Sequence, residues 1–70
     1  MKYGLKWTNK FSGETGYVKK VMKVKGFFVN TYDAAEAKSY KNEKAATEDI
    51  AVLESIGEAE NNTFEAVELA

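Results

Sequence analysis

The hydrophobic repeat of this chain changes period partway along it. Tyr3, Leu5 and Trp7 alternate with Gly4, Lys6 and Thr8, and a period of two puts the two sets on opposite sides of a β-strand. Further on, Ala46, Ile50 and Leu53 stand at i, i+4 and i+7, flanked by Ala45, Val52 and Ile56. That spacing makes one apolar stripe on a helix, and the stripe must be buried. A chain patterned first for strands and then for a helix folds as an α+β domain whose helix lies on an antiparallel sheet.

The segments between these two anchors fill in the order of elements. Ser12-Gly13-Glu14-Thr15-Gly16 suits a hairpin loop longer than two residues. The strand that follows, from Tyr17 to Lys25, is expected to face the core with Val18, Met22 and Val24, and to face water with Lys19, Lys23 and Lys25 in phase with Tyr17 and Val21. Gly26 marks a bulge or tight turn before Phe27-Phe28-Val29, which reads as a third strand or a bent continuation of the second. Asp33 to Ala37 suits a helical turn, and Lys38 to Lys41 a short strand. Asn42 is placed to cap a helix over about Glu43 to Ile56, with Glu43 at the positive end of the dipole and Gly57 ending it. After a polar connection, Glu58 to Asn62, a last strand runs from Thr63 to Leu69 with Phe64, Val67 and Leu69. The expected fold is therefore a small sheet of about four strands with one amphipathic helix packed on it, in the order strands, helix, strand, within a single domain spanning residues 1 to 70.

Seventy residues without Cys or His must be held by packing alone, because neither a disulfide nor a tetrahedral zinc site can form. A domain of this size buries only about 60% of the surface its unfolded chain exposes, so a docked partner or a second copy adds useful stability. The missing side chains also bear on chemistry. Histidine is the usual base near neutral pH and cysteine the usual thiolate nucleophile. Gly13 and Gly16 are followed by neither Gly-Lys-Ser/Thr nor a helix start, so no phosphate cradle is encoded. Asp33, Glu36, Glu48 and Asp49 do not fit an EF-hand spacing. The expectation is a non-enzyme with no cofactor and no metal. No apolar run reaches the length of a signal peptide or of a membrane span, so a cytoplasmic location without membrane contact is expected, and Asn61-Asn62-Thr63 is then a chance sequon.

Charge is divided as sharply as periodicity. Residues 1 to 32 hold seven lysines and one acid, a net of +6, whereas residues 33 to 70 hold three lysines and ten acids, a net of −7. From Glu48 onward there are seven acids and no base. Three readings compete for this split. Lysines and acids can face solvent and partly complement one another, at about 0 to 1 kcal/mol per exposed pair. Lys19, Lys20, Lys23 and Lys25 can bind nucleic acid, with Trp7 or Tyr17 as a stacking surface. Against this stand the absence of Arg and a pI of about 5.4, since nucleic-acid-binding domains are usually basic and Arg-rich. Third, Glu48, Asp49, Glu54, Glu58, Glu60, Glu65 and Glu68 can form an acidic surface that docks on a basic groove of a protein, steered there by charge.

Nine aromatic residues are more than a small core can wholly enclose. Phe27 and Phe28 are adjacent, so on a strand they point to opposite faces, and one is left for a homodimer or another partner to cover. The outer strands offer free backbone groups for the same purpose, with the lysines of strand two discouraging indiscriminate edge pairing.

The stretch Glu36-Ala37-Lys38-Ser39-Tyr40-Lys41-Asn42-Glu43-Lys44-Ala45-Ala46, with its helix and the terminal Phe64-Glu65-Ala66-Val67-Glu68-Leu69, resembles small accessory proteins of phages and prophages of Gram-positive bacteria. The resemblance covers roughly the C-terminal half and implies an aromatic strand, a capped helix and a closing strand. It also implies a class of function: proteins of this kind bind host proteins, including restriction and CRISPR effector nucleases, in the cytoplasm of a bacterial host. It carries no binding residues over to this chain. The expected function is a binding module that inhibits a host defence protein, with nucleic-acid binding and a structural homo-oligomer as the alternatives.

Overall fold

The computed structural model describes residues 2–69. Strands β1 (Lys2–Asn9), β2 (Thr15–Met22), β3 (Phe27–Thr31) and β4 (Asn62–Leu69) form one antiparallel sheet in the order β3-β2-β1-β4, and helix α1 (Glu43–Ser55) enters between β3 and β4. The domain is α+β, in the strands, helix, strand order that the two hydrophobic periods require.

The sheet is built in two unequal halves. β1 pairs with β4 along its whole length, from Lys2↔Leu69 to Asn9↔Asn62. Its ladder with β2 is short: Lys6↔Tyr17, Trp7↔Gly16 and Thr8↔Thr15. Past this point β1 and β2 part, and the segment Lys38–Tyr40 takes up the backbone groups they would have shared. Tyr3 N–H donates to Tyr40 O at 3.1 Å, Tyr40 N–H to Tyr3 O at 2.8 Å and Lys38 N–H to Val18 O at 3.0 Å, so these groups are not left unpaired inside the fold. The stretch 33–41 is therefore both things its sequence suggested. A 3₁₀ turn at Ala34–Glu36, with the Asp33 carboxylate accepting from Ala35 N–H at 2.9 Å, leads to a one-residue bridge at Tyr40.

A register shift between Val18 and Lys20 corrects the expected phase of β2. Val18 is fully buried, as its pattern required. Beyond the bulge the alternation flips, because two residues of β2 there oppose one of β3. Val21, assigned to the wet face, packs on the core. Met22 turns to the other face, and Val24 is 101% exposed in the turn that follows β2. β2 is also an inner strand, so its lysines protect no edge; the edges are β3 and β4.

The core consists of Leu5, Trp7, Val18, Ala46 and Leu53. Trp7 fits because its cross-strand partner is glycine: a Cβ on Gly16 would sit 2.8 Å from both the Trp7 ring and Thr31 O. The indole Nε1–H then donates to Tyr17 O at 3.0 Å. α1 begins where Asn42 Oδ1 accepts from Ala45 N–H at 2.9 Å, and ends at Ile56 before Gly57, whose φ of +87° suits a residue without Cβ. Ala46 and Leu53 are its fully buried side chains, and Ile50 and Ile56 pack beside them. On β4, Phe64 and Ala66 face this core. On the opposite face of the sheet Lys6 stands between Tyr17 and Glu65 in register, and the segment Ala34 to Ser39 borders Lys2 and Leu69.

Candidate functional site

The seven acids of the C-terminal half do not form one flat patch. Glu48, Asp49 and Glu54 lie on α1, Glu58 and Glu60 in the 3₁₀ turn after it, and Glu65 and Glu68 on β4. Glu65 and Glu68 are three residues apart on a strand, which sends them to opposite faces of the sheet. They flank the α1 and β4 side of the molecule rather than paving it.

Asp49 belongs to the fold. Its Oδ2 accepts from Lys38 Nζ at 3.0 Å and also from the Tyr40 hydroxyl, and Lys38 Nζ lies 5.1 Å from the centre of the Tyr40 ring. Burial, followed by the hydrogen bond to Asp49, pushes the Tyr40 phenol well above its ordinary value. This cluster ties the bridge at Tyr40 to the middle of α1. Its Asp49 side chain is only 23% exposed, so it offers little surface to a partner.

The other six acids are free of such ties. Among the described residues the ion pairs are Lys19–Glu36 at 3.1 Å and Lys38–Asp49 at 3.0 Å. The mutual complementation of lysines and acids is thus confined to two pairs, and Glu48, Glu54, Glu58, Glu60, Glu65 and Glu68 are in neither. No three acidic side chains among the described residues converge closely enough to hold a metal ion.

Part of this acidic side is concave. A cleft of about 240 Å³ opens between the second half of α1, the 3₁₀ turn and the start of β4, lined by Ile50 and Phe64 with Glu54 on its wall. Lys10 reaches across one end, its Nζ donating to Ala59 O at 2.6 Å. Glu58 and Glu60 flank Ala59 in the same turn. The sequence contained these residues but gave no sign of the cleft, because Lys10 in the turn after β1 meets residues of α1, the 3₁₀ turn and β4 that lie far from it in the chain.

The basic residues are scattered differently from the expected stacking platform. Trp7 is 4% exposed in the core, which removes it as a stacking surface. Lys19 is held by Glu36. Tyr17 is half-buried on the sheet face away from the core, beside Lys6. Lys20, Lys23 and Lys25 are exposed along and beyond the end of β2. Of the adjacent pair, Phe28 packs on the core and Phe27 is 42% exposed, as their alternation demands.

No helix among the described residues is long and apolar enough to cross a membrane. Comparison with protein-family models, with curated proteins and with solved structures returned no match.

Proposed function

We propose that this chain is a non-catalytic binding module that docks through its acidic α1 and β4 side on a basic groove of a host protein, the concrete case being a defence nuclease that it inhibits. The observation that carries this reading is the set of five acids on that side, Glu48, Glu54, Glu58, Glu60 and Glu68, left outside both ion pairs of the fold; Glu65 stands on the opposite face of the sheet, in register with Lys6. Uncompensated charge of one sign steers a partner of the other sign and favours its encounter. A groove that accepts nucleic acid is basic by necessity, and the resemblance to phage accessory proteins supplies the host nuclease as its owner.

The test is a cleavage assay with purified CRISPR effector and restriction nucleases and increasing amounts of this protein. Inhibition that is lost in the Glu48→Gln/Glu54→Gln/Glu58→Gln/Glu60→Gln variant supports the reading. Inhibition that the same variant retains in full overturns the acidic surface.

A second reading rests on Lys20, Lys23 and Lys25, exposed and outside both ion pairs, as a contact for nucleic-acid phosphates. It predicts direct binding to single- or double-stranded DNA or RNA that falls steeply with salt and weakens in Lys20→Glu and Lys23→Glu.

A further inference from the structure

Two surfaces of this chain complement each other in charge and in apolar content. The first is the tip of the β2–β3 hairpin. Met22 O accepts from Lys25 N–H at 3.1 Å and from Gly26 N–H at 2.8 Å, and Gly26 completes the turn with φ at +78°. This tight turn leaves Val24 101% exposed and Phe27 42% exposed. Lys23 and Lys25 flank Val24 and are in neither ion pair. A fully exposed aliphatic side chain between two cations, held on a closed turn, has the form of an anchor residue awaiting a pocket.

The second surface is the cleft of about 240 Å³ lined by Ile50 and Phe64 and walled by Glu54. Glu58 and Glu60 stand in the adjoining turn. Phe11, 80% exposed in the turn after β1, lies at the same end of the sheet, where Lys10 N–H donates to Asn61 O at 2.9 Å. The cleft is also lined by Lys10, Asn62 and Thr63, but the three acids Glu54, Glu58 and Glu60 outnumber Lys10 there, so Ile50 and Phe64 lie within a net acidic rim, the counterpart of the apolar tip between lysines.

The topology keeps the two apart within one molecule. Asn9 pairs with Asn62 at the cleft end of β1, whereas the β2–β3 turn lies at the other end, beyond the start of β1. We infer that the hairpin tip of one copy docks in the cleft of a second copy, with Val24 against Ile50 and Phe64 and with Lys23 and Lys25 facing Glu54, Glu58 and Glu60. A second copy is the favoured occupant because it supplies charge complementarity on both sides. The small core, with five buried hydrophobic residues, also gains from added burial. The contact is head to tail, so each pair keeps one free tip and one free cleft, and association continues with concentration unless its rotation closes a ring.

This self-contact goes beyond the docking reading and is tested on the purified chain alone, so its failure leaves docking on a host protein standing. Light scattering or sedimentation equilibrium is run over a concentration series. The weight-average mass rises with concentration at about 0.05 M salt and returns to the monomer at about 0.5 M, where charge contacts are screened. Lys23→Glu/Lys25→Glu and Glu54→Lys/Glu60→Lys are each monomeric, and their equimolar mixture associates again because each contact in it is once more between opposite charges. Val24→Ser, at a fully exposed site, weakens association and serves where a charge variant loses the circular-dichroism signature of the fold. A wild-type chain that stays monomeric at low salt, a mixture that stays monomeric, or association indifferent to Lys23→Glu/Lys25→Glu overturns the inference; the last outcome points instead to pairing through a sheet edge.

Discussion

The rings of Phe28 and Phe64 meet edge to face, with centroids 5.3 Å apart and planes at 83°, although Phe28 is on one edge strand of the sheet and Phe64 on the other. Three inter-strand spacings amount to about 14 Å in a flat sheet, so this contact requires the sheet to curl. The bulge in β2 and the short β1–β2 ladder explain how it curls: bulges bend a strand and increase its twist, and a ladder of few pairs resists little. Both rings are half-buried, so truncation to alanine is expected to cost about 2 kcal/mol each, below the range for fully enclosed phenylalanines. The coupling in a Phe28→Ala/Phe64→Ala cycle is expected near 1 kcal/mol, measured by urea denaturation. Strict additivity would mean that the edges do not touch.

Tyr40 makes the fold sensitive to alkali. The folded state holds its proton more tightly than the unfolded chain, whose phenol titrates near 10, because burial and the Asp49 carboxylate both disfavour the phenolate. The stability this contributes is fully present below pH 10. Above it the unfolded state releases a proton that the folded state keeps, so stability falls as pH rises, by about 1 kcal/mol per pH unit after discounting for a half-exposed ring. Tyr32 is shifted the same way by its hydrogen bond to Glu14, so the comparison is wild type against Tyr40→Phe. The variant is expected to lose stability more gently between pH 10 and 11, followed by denaturant melts across that range.

Two glycines in the sheet differ in what surrounds them. At Gly16 a Cβ meets the backbone oxygen of Thr31 and the Trp7 ring at 2.8 Å, and neither can retreat without moving the core. Gly16→Ala is expected to cost about 2 to 3 kcal/mol and to alter the tryptophan near-ultraviolet circular dichroism. At Gly4 the nearest atom is Leu69 Cδ1, also at 2.8 Å, the end of a flexible side chain. Gly4→Ala is therefore expected to cost less than about 1 kcal/mol. Equal losses at the two positions would contradict this packing.

The parts of this fold that were legible in the sequence are those set by local rules. The alternation of Tyr3, Leu5 and Trp7, the cap at Asn42, the stop at Gly57 and the stripe through Ala46, Ile50 and Leu53 each reflect a constraint within a few residues. What escaped was set by tertiary geometry. Nothing in Val18-Lys19-Lys20-Val21 announces that the strand slips by one residue there, yet the slip decides that Val21 is inside and that Met22 faces the other side. The same holds for the candidate surfaces. The acids could be counted, but only the contact with Lys38 and Tyr40 separates Asp49 from its neighbours, and only the fold brings Ile50, Glu54 and Phe64 around one cleft.

That separation of Asp49 from the other acids can be measured. Asp49→Ala leaves the Tyr40 hydroxyl and Lys38 Nζ without their shared acceptor and loosens the tie between the Tyr40 bridge and α1. Since the site is partly open to solvent, the expected loss is about 1 kcal/mol. Glu48→Ala and Glu54→Ala remove exposed carboxylates outside both ion pairs, and alanine favours the helix, so each is expected to change stability by no more than about 0.5 kcal/mol. The order reverses for partner binding. Glu48 and Glu54 carry charge that a basic groove can reach, so their neutralisation is expected to weaken the proposed nuclease inhibition, whereas Asp49→Asn is expected to leave it close to wild type wherever the fold is intact. Thermal melts and inhibition titrations on the same three positions test both halves. An Asp49 variant that melts like wild type yet no longer inhibits would place Asp49 on the binding surface instead of in the fold.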